Sequence, residues 1–187
     1  MEKKYELTQM SILFNNEKKL YQIRALKDFG SVKARTLGGF IEKEANLSQD
    51  GNCWVDNGAM VMDNAVVKDN AIVRGQSKIS GNATVLGNAI IEDFAIVQNF
   101  ALVRDHATVQ QNAKLSDHVV VFSNALIKGN AKIRHSAYVG GDCIITDNAT
   151  ITGFAKLIGP VSARENAYIG GFTIRFSCRD IKGFRLF

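Results

Sequence analysis

Residues 64–117 read NAVVKD NAIVRG QSKISG NATVLG NAIIED FAIVQN FALVRD HATVQQ NAKLSD when written in sixes. The same register extends in both directions. Stepping by six from Val55 to Ile169 meets Val, Ile or Leu at every position except Ala163. The slot four residues later, from Ala59 to Thr173, is alanine apart from Ser77, Val119, Cys143, Val161 and Thr173, all small or β-branched. Between the two slots sits a dipeptide that is mostly Gly or Asp followed by Asn, as in Asp63-Asn64, Gly81-Asn82 and Gly129-Asn130.

Six residues is not a multiple of 3.6, so the aliphatics cannot share one stripe of an α-helix. Two-residue alternation fits locally: in Ala71-Ile72-Val73 inward and outward positions take turns. Gly, Asp and Asn adopt left-handed backbone angles cheaply, so each dipeptide marks a turn. Short strands joined by turns, all with one inward face, wind into a coil. Alanine suits the cramped inward position beside a corner, and the larger aliphatic fills the middle.

The pattern [Leu/Ile/Val]-x-x-x-[small]-x resembles the hexapeptide repeat of left-handed parallel β-helices, over about 120 residues. The resemblance implies three hexads per triangular coil, or eighteen residues. The Asn-Ala-rich flavour, with the segment Leu37-Gly38-Gly39-Phe40-Ile41-Glu42, looks like poorly characterised bacterial and prophage members. The expected fold is therefore all-β: a single-stranded left-handed parallel β-helix of about seven triangular coils over residues 51–174. At ~4.8 Å per layer it would be roughly 32 Å long. Residues 1–50 lack the period and read as a small β-rich cap. Within them, Ser11–Phe14 and Lys19–Leu26 form an expected hairpin around Asn15-Asn16-Glu17-Lys18. An open coil end exposes unpaired strand edges, which is why a cap is expected there. Residues 175–187, with Phe176, Phe184 and Phe187 on a basic background, form a short tail expected to fold back on the last coil or reach a neighbour.

Composition sets outer bounds. Apolar residues make up 46% and charged residues 22%, ordinary for a soluble protein. No run approaches the ~18 apolar residues that span a bilayer, and the first sixteen residues hold only a short apolar run, Ile12-Leu13-Phe14. Cys53, Cys143 and Cys178 include no C-x-x-C spacing, which fits a reducing compartment. A cytoplasmic location is expected. The net charge of +5 suits an anionic ligand but lacks the dense Lys/Arg runs of a nucleic-acid binder.

Function on a closed coil has to lie on the outward slots. Sorted by eighteens, the first face carries Ile72, Ile90, Thr108, Leu126 and Ile144. The third carries Val66, Thr84, Leu102, Val120, Tyr138 and Lys156, with Leu86, Phe122 and Ile158 beside them. Apolar columns of this length suggest an interface, and the resemblance implies a homotrimer; the alternative is that the flanking segments cover them. Ile72, Ile90, Leu126, Ile144, Leu102, Val120, Phe122 and Tyr138 are the expected contacts. The second face carries Lys78, Lys114 and Lys132 in one column, with Arg134 beside it. These four are either a wall for a nucleotide or similar small anion, or a charged face that keeps the prism soluble.

The best-known proteins with this repeat are acyltransferases that bind coenzyme A between prisms and use a histidine as general base. His106 and His118 occupy the Asn turn slot, and His135 the Gly/Asp slot. Under the acyltransferase reading His106 or His118 is the base; otherwise they are turn residues, and no metal site is expected. Such enzymes carry a loop thrown out of one coil, whereas this register is unbroken from Val55 to Thr173. The leading expectation is a non-catalytic oligomeric binding or scaffold protein without a cofactor. The alternatives are an acyltransferase using coenzyme A and a purely structural assembly protein.

Overall fold

The computed structural model describes every residue except Met1, Thr173, Phe176, Ser177, Cys178, Phe184 and Phe187. The period becomes a parallel β-solenoid. Its strands are mostly two residues long, and from Trp54 to Ile158 each pairs in parallel with the strand eighteen residues on: Ile72 with Ile90, Lys114 with Lys132, Val120 with Tyr138. Three sheets result, one per face. The first face, a sheet of eight strands with one per coil, gives about eight coils rather than the expected seven.

The extra winding comes from both ends. The backbones of Arg179–Lys182 and Arg185–Leu186 pair in parallel with Val161–Arg164 and Tyr168–Ile169, so the tail continues the coil instead of folding back. At the other end Leu37–Ile41 already pairs in parallel with Met60–Val61. Parallel pairing needs only backbone N–H and C=O groups, so it runs past the limits of the side-chain pattern. The tail residues Phe176, Cys178, Phe184 and Phe187 lie outside the described residues.

Inside the coils the aliphatic slot and the alanine slot are sealed from solvent at every described residue from Val55 to Ile169. Ala163 has a local reason. Gly159 (φ 102°) and Pro160 reshape that corner, and the strand Val161–Arg164 places its aliphatic first and its alanine second, both buried. The larger and smaller residues have exchanged places within one coil, which conserves volume.

The turns divide their labour more finely than cheap left-handed angles suggest. The first residue of each dipeptide from Asp63-Asn64 onward takes positive φ, including Asp63, Asp69, Asp93, Asp105, Asp117 and Asp147. In each of these the carboxylate accepts a hydrogen bond from the backbone N–H one coil further on: Gly81 (2.9 Å), Gly87 (3.0 Å), Gln111 (3.0 Å), Ser123 (3.0 Å), His135 (2.9 Å) and Glu165 (2.8 Å). A charge-assisted bond offsets the strain of a left-handed non-glycine residue. The second residue, Asn, stacks its amide on the next coil's, as in Asn112–Asn130–Asn148–Asn166 at 3.2, 3.2 and 3.4 Å.

The cap is built from β1 (Tyr5–Phe14), β2 (Lys18–Ala25) and β3 (Leu37–Ile41). The expected hairpin is present and longer at its first strand. Its turn has Asn15 and Asn16 both at positive φ, with the Glu17 N–H bonded to the Phe14 carbonyl at 3.1 Å. Antiparallel pairing of β2 with β3 joins the hairpin to the second face. Polar side chains then close the coil's edge. The Lys4 ammonium, 1% exposed, donates to the carbonyls of Asp50 (3.2 Å), Gly51 (3.3 Å) and Cys53 (3.0 Å) and lies 5.0 Å from the Phe29 ring centre. The Asn46 amide donates to the Asp63 and Ala65 carbonyls at 3.1 and 2.8 Å. Trp54, outward on the first face, is covered by Phe29 and Tyr5. The N-terminal segment thus covers the top of that face.

Cys53 and Cys143 are buried and unbridged. Burial pushes both thiols up, against the pull of Lys4 on Cys53 and of backbone bonds on Cys143. Neither should be alkylated by iodoacetamide in the native protein at neutral pH, and both should react in denaturant; peptide mapping reads this directly. Native labelling of either would contradict the sealed core.

Candidate functional site

The second face concentrates charge where the fold leaves space. Its outward column runs Met60, Lys78, Ile96, Lys114, Lys132 and Thr150, each on a strand paired with the next. A groove of about 590 Å³ lies along this face and the corner preceding it, and Lys78, Lys114, Lys132, Phe94, Asn112 and Asn130 line it. Lys114 and Lys132 are exposed and sit directly opposite one another across a strand pair. Among the described residues neither, nor Lys78, has an acidic group within 4.0 Å. Like charges directly opposite on a sheet repel, so the bare face is held at a cost that an anion would remove.

The cap hairpin reaches this groove. Lys18 at its turn forms an ion pair with Asp63, and the Phe14 ring lies 5.4 Å from the Lys78 ammonium. Lys78 is therefore steadied by an aromatic face, while Lys114 and Lys132 stand free. Arg134 is exposed but is not among the residues lining the groove. It lies towards the far edge of the face, so the structure brings together three of the four cations that the sequence singled out.

The structure separates His106 from the other two histidines, which share a corner on adjacent coils. His106 belongs to the corner between the third and first faces, where the Asn88 amide donates to its Nε2 at 3.2 Å and it serves as one rung of an Asn ladder. His118 lies at the corner between the second and third faces, its ring stacked on Phe100 at 4.8 Å with a 4° interplanar angle. His135 shares that corner; its Nδ1 lies 2.6 Å from Thr152 Oγ1, and its backbone N–H donates to Asp117. Among the described residues no cluster of three or more His, Cys, Asp or Glu is placed to hold a metal.

The apolar columns are partly engaged within the chain. The Phe122 ring lies over the Gly140 backbone, where a Cβ would come within 2.1 Å of it, and beside Tyr138 at 4.6 Å and Arg104 at 5.0 Å. Ile72 packs against the core cluster. Ile144 is 42% exposed, while Ile90, Leu102, Val120, Leu126 and Tyr138 are half-buried. No helix among the described residues is long and apolar enough to cross a membrane.

No protein-family model matches the chain. A stretch of 36 residues is 53% identical to a protein of Escherichia coli (strain K12) named as an uncharacterised acetyltransferase, YdcK. The match spans 19% of this chain and 11% of that protein. Thirty-six residues is the length of two coils of eighteen.

Proposed function

We propose that this protein is a non-catalytic, oligomeric β-solenoid of the cytoplasm that binds a small anionic ligand, such as a nucleotide, along its lysine face. The observation that carries this reading is the groove in which Lys114 and Lys132 are stacked without acidic partners. Asn112 and Asn130 offer amide donors and acceptors at its rim, and Phe94, 55% exposed, offers an aromatic surface. A phosphate chain laid along the face would meet one ammonium per coil at this pair, spaced ~4.8 Å apart. In the oligomer, a homotrimer, the exposed Ile144 column abuts a second prism and the groove opens into the cleft between them. Sequestering a signalling nucleotide there fits a phage-type protein.

Calorimetric titration with a nucleotide panel tests the reading. Saturable binding is expected, falling by about tenfold or more in a Lys114→Ala/Lys132→Ala variant, the loss of roughly two charge-assisted contacts. No heat with any nucleotide, or unchanged affinity in the variant, would sink it.

A second reading is favoured by the 36-residue similarity to a protein named as an acetyltransferase. Under it the same lysines hold the phosphates of coenzyme A, and His106 or His118 is the base. Coenzyme A belongs in the panel. Binding that transfers acyl groups and is lost in His118→Ala or His106→Ala would replace the first reading by the second.

A further inference from the structure

The corner between the second and third faces carries a column of rings. Its successive positions are Asn64, Asn82, Phe100, His118, Ser136, Phe154 and Phe172. Phe100 and His118 stack at 4.8 Å with a 4° interplanar angle, and Phe154 and Phe172 at 5.1 Å with a 5° angle. One rung between the two pairs is missing, because Ser136 has no ring to contribute. His118 and Phe154 stand two coils apart, roughly 9.6 Å. That is the height of two stacking steps, so one planar ring fits between them with the offset of the neighbouring pairs. A cleft of about 630 Å³ opens at this point, lined by His118, Phe154, Ser136, His135, Asp117 and Phe100.

We infer that this missing rung is a binding slot for a planar nitrogen heterocycle of the nucleobase class, sandwiched between His118 and Phe154 with its polar edge towards Asp117. The walls supply stacking faces that tolerate any base. The rim selects a ring with N–H donors. Asp117 is held below the usual carboxylate range, chiefly by the His135 backbone N–H and further by the Asn99 amide, against the opposing pull of desolvation. It is therefore an anion at neutral pH; Oδ2 accepts from the His135 N–H and the Ser116 hydroxyl, while Oδ1 accepts only from the Asn99 amide and keeps a lone pair for a ligand. A charged carboxylate also disfavours a phosphate at this corner, so the slot takes the base and not the phosphate chain. It lies on a different corner from the lysine groove and does not depend on it. His118 is exposed and Phe154 is 59% exposed, which leaves both walls open at their edges to an entering ligand.

The experiment uses adenosine and guanosine, which carry no phosphate and so do not report on the lysine face. Saturation-transfer NMR with the full chain should show saturable binding, with transfer strongest to the base protons. Ser136→Phe supplies the missing rung and should weaken binding by about tenfold or more. Phenylalanine already occupies this turn position at 100 and 154, so the variant is compatible with the fold. Phe154→Ala removes one wall without filling the slot and should also weaken binding. The inference is overturned if neither nucleoside binds up to its solubility limit, or if both variants bind as the parent does. It is equally overturned if Ser136→Phe lowers the sedimenting mass to that of a smaller oligomer with no nucleoside binding in the parent, since an aromatic side chain of a second copy would then be the occupant.

Discussion

Gly39→Ala should lower stability by about 3 kcal/mol or more, the upper range of overpacking changes. Gly39 lies in β3 between the cap and the first coil, and its φ is not in the left-handed region, so the obstacle is space. An added Cβ would stand 2.4 Å from the carbonyl oxygens of Ala59 and Asp56 and 2.9 Å from Val55 Cγ1. Neither carbonyl can yield freely. Asp56 O accepts the Ala59 N–H at 3.1 Å and closes a corner; Ala59 O accepts the Phe40 N–H at 2.9 Å and joins cap to coil. Relief requires β3 to lift away and take β1 and β2 with it. For a chain of this size the midpoint of thermal unfolding should fall by roughly 6–12 °C. Trp54 is the single tryptophan and lies 3% exposed beneath the cap, so its emission should shift to the red. A variant with the parent's midpoint and emission would show that the cap does not dock as described.

Ile133→Ala should cost about 2–5 kcal/mol, towards the upper end. Ile133 is fully buried, its backbone paired with Leu115 on one side and Ile151 on the other. The cost of a cavity depends on whether the surroundings collapse into it. Here they cannot, because hydrogen-bonded strands on three faces hold the coil's cross-section fixed. The effect should also spread unevenly. Each coil of a solenoid touches only its neighbours, so hydrogen exchange should accelerate most around residues 115–151 and less at the cap. Uniform acceleration along the chain would instead mean that the solenoid unfolds as one unit.

Much of this architecture was legible from the six-residue period, because each slot admits few residue types for steric reasons. Val or Ile at the inward centre and Ala at the corner leave no other fold with one sealed face. The ends were less legible. Arg179–Lys182 and Leu37–Ile41 join the coil by backbone pairing, and the buried aliphatics they keep, Ile181 and Ile41, are too few to show a period. Reading Asp as a mere turn former missed its bond to the next coil, although its recurrence at the position preceding Asn was a signal. The lysine column was visible by counting in eighteens, yet the sequence could not show that Arg134 falls outside the groove, nor that Phe14 reaches Lys78. The ring column was equally countable. Reading His118 as a relative of Asn hid its stacking on Phe100, because aromatic residues in a turn do not announce that they align.

The eighteen-residue spacing of every corner bond sets a quantum for change in length. Removing or duplicating eighteen residues keeps each carboxylate under an N–H and each amide over an amide. Removing seventeen breaks both ladders at once and turns the inward side chains outward. Genes for such a protein can therefore lengthen or shorten in whole storeys, with the landing places for ligands carried along or left behind intact. Two chains built from like storeys can then differ in every room that matters.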